Sequence, residues 1–253
     1  MSIAIVTGAS RGIGKECAVK LASHYDKLAI TCLKNKELLE ETRNIILSKG
    51  CDCYAEAGDI SDHDFAGSFI NNVISRFGND ISLLVNNSGI SYIGLLTDMD
   101  IDDWNTIMNT NVTSVFNTCS AVVPHMVHNK SGRIINISSV WGITGASMEV
   151  AYSASKGAVN AFSKALAKEL APSNISVNAI AFGAIDTTMN DHLSPEEKQL
   201  LCDEIPYGRM ATPAEAGDFI CKIAAAPEYL TGQIITFDGG LSLIHISEPT
   251  RQE

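Results

Sequence analysis

The chain has 253 residues, 45% of them hydrophobic, which is enough for one full-sized domain with a large core. Its formal net charge of -11 argues against binding to nucleic acid or to an anionic membrane surface. The charge does not argue against a phosphorylated cofactor, because such a cofactor needs only local N–H groups and one or two basic side chains. Apolar runs stay below the ~18 residues of a membrane span, and the chain runs directly into Ile3–Val6, so we expect neither a membrane helix nor a signal peptide.

The seven cysteines are dispersed, and only Cys51 and Cys53 are close in sequence. The chain has no CxxC pair and no His/Cys cluster, so we predict neither a metal site nor a disulfide framework. Scattered thiols are typical of reduced cysteines, and we therefore expect a cytoplasmic protein.

Short apolar runs alternate with amphipathic helical patterns along the chain. The runs that predict strands are Ile3–Val6, Leu28–Cys32, Leu83–Asn86, Arg133–Ile137, Ser176–Ile180 and Ile234–Phe237. The patterns that predict helices are Ile13–Ser23, Lys36–Ser48, Asp64–Phe77, Trp104–Val127, Ala151–Leu170 and Pro213–Ala225. Such alternation predicts an α/β fold, in which a parallel sheet carries helices on both faces.

The last residues do not follow this pattern. The stretch from Leu241 to Glu253 resembles a translated sequencing adapter more than a natural tail. We therefore assign the domain to residues 1–240 and expect residues 241–253 to be non-native or disordered.

A glycine-rich turn follows the first predicted strand. It reads Thr7-Gly-Ala-Ser-Arg-Gly-Ile-Gly14, with the spacing Gly-x-x-x-Gly-x-Gly, and leads into a helix. Glycines let the backbone turn tightly and approach a pyrophosphate, whose charge is met by the helix N-terminus. The pattern predicts a dinucleotide site formed by Gly8, Ser10, Arg11, Gly12, Ile13 and Gly14.

The end of the second strand bears on the choice between NAD and NADP. NAD-binding proteins carry an acid here for the adenosine ribose, but the segment Ile30–Lys36 contains none. Lys34 and Arg11 are available to a 2′-phosphate instead, which favours NADP(H). The alternative is that Lys34 merely begins a solvated helix.

Two further turns follow strands. Gly58-Asp59-Ile60 follows the third strand, where the Asp59 side chain can reach an adenine amino group. Asn86-Asn87-Ser88-Gly89 follows the fourth strand, where it can line a cofactor and tie neighbouring strands together. Either could instead be a plain turn.

Tyr152 and Lys156 are four residues apart, so a helix brings both side chains to one face. A neighbouring ammonium favours phenolate and lowers the pKa of a tyrosine. By itself, the pair is more often a packed ring beside a solvated charge.

Together, these motifs resemble those of the short-chain dehydrogenase/reductase family, over residues 1 to about 240. They stand here as Thr7–Gly14, Asp59, Asn86–Gly89, Asn111, Ser139, Tyr152-x-x-x-Lys156 and Phe182-Gly183…Thr187. The resemblance implies a single doubly wound Rossmann-type domain with a parallel seven-stranded sheet, acting as an NAD(P)-binding oxidoreductase. It also implies that Ile60, Asn87, Ser88, Gly89, Gly183, Ile185 and Thr187 join Asp59, Tyr152 and Lys156 around the cofactor.

The resemblance implies a role for each catalytic residue. Tyr152 would be the general acid in carbonyl reduction and the base in the reverse reaction. Ser139 would hydrogen-bond the substrate oxygen, whereas Ser138 would be structural because adjacent strand residues point to opposite faces. Lys156 would lower the pKa of Tyr152 and hold the nicotinamide ribose. Asn111, inside the helix Trp104–Val127, would hold a water linking Lys156 to solvent, or else cap a kink.

Two residues depart from the family's pattern. Ser88 stands where the family usually has alanine, a mild change, and Phe182 stands where it usually has proline before Gly183. Since proline restricts φ, its loss predicts a more mobile loop at the residues that hold the nicotinamide. The segment from Asp186 to Pro206, in which Ser194 opens a helix, is a predicted lid over the substrate.

The substrate has two candidate classes. Most chains of this pattern are 3-oxoacyl-carrier-protein reductases, but the places where those enzymes carry basic docking residues hold only one charge here, Lys130. Trp141–Val150 and Lys168–Ser173 instead resemble elongation factor P 5-aminopentanone reductases. There, Glu149 could pair with a substrate ammonium beside Trp141, or merely cap the helix.

A non-catalytic dinucleotide sensor on the same fold is an alternative of another class, although a sensor would not need the Ser139, Tyr152, Lys156 and Asn111 set. The family likeness also implies a homotetramer, in which the helices Trp104–Val127 and Ala151–Leu170 pair with their copies.

Overall fold

A computed structural model describes residues 2–191 and 193–243. Seven strands form one sheet in the order β3-β2-β1-β4-β5-β6-β7, and every neighbouring pair is parallel. The strands are β1 Ile3–Thr7, β2 Lys27–Cys32, β3 Asp52–Ala57, β4 Ile81–Asn86, β5 Gly132–Ser139, β6 Ile175–Phe182 and β7 Ile234–Phe237. The predicted doubly wound, seven-stranded Rossmann-type sheet is confirmed.

Helices connect the strands in the expected alternation. They are α1 Gly12–Leu21, α2 Lys36–Ser48, α3 His63–Phe77, α4 Ile101–Met108, α5 Ser114–Asn129, α6 Trp141–Thr144, α7 Val150–Leu170, α8 Pro195–Glu204 and α9 Pro213–Ala224. Side-chain caps begin several of them; Asp62 accepts from the amide of Phe65, and Ser194 forms a capping box with Glu197 at the start of α8.

The five central strands of the sheet are buried on both faces because alternate residues enter two separate cores, whereas the edge strands β3 and β7 are more exposed. Ala4 and Val6 of β1 belong to the core formed with α1, α2 and α9. Ile3 and Ile5 belong to the core formed with α3, α5 and α7. Period-two alternation of the strand therefore distributes apolar side chains to both helical layers.

The prediction of one continuous helix over Trp104–Val127 is wrong near its middle. The structure divides it into α4 and α5 by a π-helical turn, Asn109–Thr113. Asn111 in this turn points inward, and its side chain bonds to both backbone groups of Ile90. A π turn widens the backbone and re-aims side chains, which explains why helical periodicity alone did not predict it.

The chain order reverses between β1 and β4, so a crevice opens at the carboxyl ends of these strands, where ligands bind in doubly wound sheets. In the part of the chain that the structure describes, no helix combines the length and hydrophobicity needed to cross a membrane. Of the predicted tail, residues 241–243 form a turn in which Ser242 donates to Asp238. Residues 244–253 lie outside the described residues.

Candidate active site

The glycine turn after β1 is packed directly against the end of β4. Gly8 has a φ of +66°, which a side chain would strain, and a Cβ atom there would lie 2.8 Å from the Asn87 amide nitrogen. A Cβ atom on Gly14 would overlap the carbonyl of Gly8. The turn therefore needs glycine at both positions, and it brings the backbone to the N-terminus of α1, where helix amides can bind an anion.

The residues after β4 hold this turn in place. Thr7 accepts hydrogen bonds through Oγ1 from the amides of Asn87 and Ser88, both at 3.0 Å. The Asn87 side chain donates to the carbonyls of Thr7 and Gly8, both at 3.1 Å. Asn87 thus ties the two strands together, one of the two roles that the sequence suggested for it.

A shallow cleft lies across the ends of β2, β3 and β4. It is lined by Thr31, Cys32, Leu33, Gly58, Asp59, Ile60, Ser61, Ser88 and Thr110. Asp59 accepts from the amide and the hydroxyl of Ser61, which fixes its carboxylate at the cleft. The sequence predicted Asp59 and Ile60 from the turn after β3 and Ser88 from the turn after β4. The structure brings all three to this one cleft.

The sequence did not single out Thr31, which lines the same cleft. Its hydroxyl is buried and has no hydrogen-bond partner among the described residues. An orphaned buried hydroxyl is costly unless a ligand satisfies it. Together with the glycine turn, it fits a polar group such as an adenosine ribose or phosphate. Lys34 and Arg11 are both exposed, Arg11 at the N-cap of α1.

The loop after β6 crosses the front of the glycine turn. A Cβ atom on Gly12 would lie 3.5 Å from the Thr187 methyl group, so Thr187 covers this turn. Ile185 pairs with Ala211 in an isolated bridge. Phe182, which replaces the family's proline, is buried at the end of β6 and contacts the Phe237 ring edge-on at 5.7 Å. Sheet pairing and ring packing thus restrain the residue where proline is missing.

Tyr152, Ser139 and Lys156 converge at the end of β5 and the first turns of α7. The Ser139 hydroxyl interacts with the Tyr152 phenol and accepts a hydrogen bond from the amide of Trp141 at 3.2 Å. Ser138 instead donates to the backbone carbonyl of Lys156. The two serines therefore have different partners on α7, Ser139 the Tyr152 phenol and Ser138 the helix backbone.

Lys156 is buried, with 4% of its surface exposed. Its Nζ donates to the carbonyl of Ile137 at 2.9 Å and lies 5.6 Å from the centroid of the Tyr152 ring. Burial lowers the pKa of Lys156 to about 8, because the protein interior disfavours the charged ammonium.

The pKa of Tyr152 moves in the opposite direction from the expected lowering by Lys156. Burial, the larger cause, and the negative charge of Glu149 together raise it to about 12, while the interaction with Ser139 opposes both. The groups that this chain supplies therefore hold the phenol in its protonated form.

Asn111 reaches the same site from the π turn. It donates to Ser155 at 2.9 Å, and Ser155 in turn donates to the carbonyl of Tyr152. A Cβ atom on Gly89 would lie 3.3 Å from both the Asn111 oxygen and Lys156 Nζ, so these side chains meet at one glycine. Asn111 thus connects the loop after β4 to the helix that carries Tyr152 and Lys156.

Glu149 and Trp141 both border this site. Glu149 is the N-cap residue of α7, and its carboxylate accepts a hydrogen bond at 2.7 Å from Ser91, in the loop after β4. Sequence reasoning missed Ser91 and Ser155, because neither belongs to a periodic pattern and both act through contacts between distant segments. The described residues contain no group of three His, Cys, Asp or Glu side chains suited to a metal ion.

Comparison with known proteins gives a consistent result. The family model described as short chain dehydrogenase matches residues 2–198. The chain is 40% identical over 242 residues to the uncharacterized oxidoreductase YmfI of Bacillus subtilis, covering 94% of this chain and 97% of that protein. It is 37% identical over 239 residues to the 3-oxoacyl-[acyl-carrier-protein] reductase FabG of Staphylococcus aureus, covering 94% and 97%. The corresponding reductase of Chlamydia muridarum is 35% identical over 240 residues, covering 94% and 96%.

Proposed function

The chain belongs to the short-chain dehydrogenase family, whose members bind a nicotinamide dinucleotide, and from this premise we propose that it is an NADPH-dependent carbonyl reductase acting on 3-oxoacyl thioesters of acyl carrier protein. Residues 1–240 would form its single catalytic domain. The observation that carries the proposal is the convergence of Ser139 and Tyr152 beside buried Lys156, whose Nζ lies close to Gly89 in the loop that follows β4.

In this proposal, Ser139 and Tyr152 act on the substrate carbonyl. A bound reduced nicotinamide would supply the hydride. Ser139 donates a hydrogen bond to the carbonyl oxygen as negative charge develops there. Tyr152 gives that oxygen its proton, and its raised pKa keeps the proton available at neutral pH. Lys156 and Asn111 position the phenol, and Lys156 holds the cofactor ribose.

NADP(H) is the cofactor that we propose, rather than NAD(H). The end of β2 carries no acid for the adenosine ribose, while the exposed Lys34 and Arg11 can meet a 2′-phosphate. Gly8, Ser10, Gly12, Ile13 and Gly14 would surround the pyrophosphate, and Ile60, Asn87 and Gly89 would line the path to the nicotinamide. Gly183, Ile185 and Thr187 would hold the nicotinamide amide.

An amine-bearing ketone, such as the 5-aminopentanone group of a modified elongation factor P, is a second candidate substrate. Ser91 holds the carboxylate of Glu149 next to Tyr152, where it can meet an ammonium. The net charge of -11 and the scarcity of basic docking residues, with Lys130 the exception, do not favour an acidic carrier protein.

The decisive experiment follows NADPH oxidation with a 3-oxoacyl thioester and with an aminoketone. We expect turnover with at least one, and a fall in kcat of about 10²- to 10⁴-fold in Tyr152→Phe, which removes the proton donor. Binding of NADPH without turnover of either ketone would instead indicate a dinucleotide sensor. Higher kcat/KM for the aminoketone would select the second substrate class.

We also propose a cytoplasmic homotetramer. All seven cysteines are free thiols, as expected in a reducing compartment. The outer face of α5 carries Phe116 with 52% of its surface exposed, an unusual position for an aromatic side chain unless another surface covers it.

A further inference from the structure

The loop between β3 and α3 is fastened to α5 by one buried side chain. Asn117 of α5 is 2% exposed, and its amide nitrogen donates to the backbone carbonyls of Ile60 at 3.3 Å and of Ser61 at 2.8 Å. Because carbonyls only accept hydrogen bonds, the nitrogen must face the loop, and the amide oxygen then faces His63 Nδ1 at 3.2 Å. Asn117 therefore joins α5 both to the loop and to the first residue of α3.

One peptide group of this loop links Asn117 to Asp59. The carbonyl of Ile60 accepts from Asn117, and the amide of Ser61, which belongs to the same peptide group, donates to Asp59 Oδ1 at 2.9 Å. The C=O and N–H of a trans peptide point in opposite directions, so a partner that fixes the carbonyl also fixes the N–H. The Ser61 hydroxyl donates to the same carboxylate oxygen at 2.7 Å. The position of the Asp59 carboxylate therefore depends on where Asn117 holds the loop.

The loop that Asn117 holds forms part of the shallow cleft at the ends of β2, β3 and β4. Asp59, Ile60 and Ser61 line this cleft together with Thr31, whose buried hydroxyl has no hydrogen-bond partner among the described residues. A carboxylate can accept a hydrogen bond from an exocyclic amino group such as that of adenine. Asn117 itself is not one of the residues that line the cleft. It can therefore act on a bound ligand only through the loop.

We propose that Asn117 is a positioning residue for the adenine end of a bound dinucleotide, because it holds the Asp59 carboxylate at the cleft through the loop after β3. This inference rests on the proposed dinucleotide-dependent reductase activity. Without the two hydrogen bonds from Asn117, the Ser61 peptide can turn and the carboxylate can move away from the ligand. The residues proposed for proton transfer belong to β5 and α7, so Asn117 sets the affinity for the cofactor and not the rate of the chemical step.

The test is Asn117→Leu, which keeps a similar side-chain volume, adds no charge and removes both donors. We expect KM for NADPH to rise on the order of tenfold. The Kd for adenosine 2′,5′-diphosphate, a fragment that lacks the nicotinamide, should rise by the same factor if the effect lies at the adenine end. Because only binding is weakened, kcat at saturating NADPH should stay unchanged. Steady-state kinetics and isothermal titration calorimetry measure these constants.

The matched control is Asn129→Leu at the other end of α5. Asn129 also donates from its side-chain amide to a backbone carbonyl, that of Asn79 at 2.9 Å, but at a distance of three helical turns from Asn117. This variant should leave KM, Kd and kcat unchanged. Asn117→Ser keeps one hydroxyl donor, so it should raise KM and Kd by a smaller factor than Asn117→Leu, and it provides the test if the leucine variant does not fold.

The fragment titration separates this inference from the proposed function. A folded Asn117 variant that binds adenosine 2′,5′-diphosphate as tightly as the parent would overturn the role of Asn117, and so would a loss confined to kcat. Weaker fragment binding in a protein that turns over neither ketone would support the role of Asn117 and refute only the reductase activity. Failure of the unaltered protein to bind either NADPH or the fragment would refute both.

Discussion

Two residues in this site have pKa values moved away from their usual range in opposite directions. Burial lowers that of Lys156 to about 8, and burial with the charge of Glu149 raises that of Tyr152 to about 12, so the neutral form of each gains relative to the free side chain. A phenol of this kind suits the donation of a proton to a carbonyl oxygen. Removing a proton from an alcohol requires phenolate, which the protein's own groups disfavour. These pKa directions are consistent with the proposed reductase activity.

The proposed preference for NADP(H) depends on Lys34, just after the end of β2. We expect Lys34→Ala to raise KM for NADPH by on the order of tenfold, because a charge-assisted contact to the 2′-phosphate contributes about 1.5 kcal/mol or more. KM for NADH should not change. Steady-state kinetics with both cofactors check this, with Lys36→Ala as the matched control, since Lys36 carries the same charge two residues further on. Equal catalytic efficiency of the unaltered protein with NADH and NADPH would contradict the assignment.

At the scale of elements, the site is a set of loops fastened to one another at the carboxyl ends of parallel strands. Thr7 and Asn87 join β1 to β4, and Asn111 joins the loop after β4 to α7. A buried polar network continues from Asn86 to Asn136 of β5 and on to Ser163 of α7. These bonds hold elements from distant parts of the sequence in one geometry.

Gly14 leaves no space for an added side-chain atom. We expect Gly14→Ala to lower the free energy of unfolding by about 1 to 3 kcal/mol and to weaken cofactor binding, because the new Cβ would overlap the Gly8 carbonyl. Denaturant unfolding and cofactor fluorescence titration measure the two effects. The control is Gly67→Ala in α3, where a Cβ meets nothing within 4 Å and helix propensity predicts a gain of about 0.5 to 1 kcal/mol. A Gly14→Ala protein as stable as the parent would refute the packing argument.

At the scale of the whole molecule, α5 and α7 lie on one face of the sheet, and their outer sides carry small and apolar residues. Phe116 is 52% exposed on α5, and Ala154, Ala161 and Ala165 are exposed along α7. Small side chains allow helices of two protomers to approach closely, and an aromatic side chain supplies apolar area. This surface is the one that we propose for the tetramer.

We expect Phe116→Glu to shift the assembly from tetramer toward dimer or monomer, because four copies of a buried charge would meet at the proposed interface. Size-exclusion chromatography with light scattering measures the mass. Leu200→Glu on α8, which is 65% exposed outside this surface, is the control and should leave the mass unchanged. A tetramer that persists in Phe116→Glu would assign the interface to another face.

The sequence by itself determined the alternation of strands and helices, the glycine turn and the Tyr152–Lys156 pair, because each depends on local periodicity or on spacing along one element. Only the tertiary structure decided the break of Trp104–Val127 at Asn111, the hydrogen bond between Ser91 and Glu149 and the raised pKa of Tyr152. These features depend on burial and on contacts between segments far apart in the chain, and such contacts leave no periodic trace in the sequence.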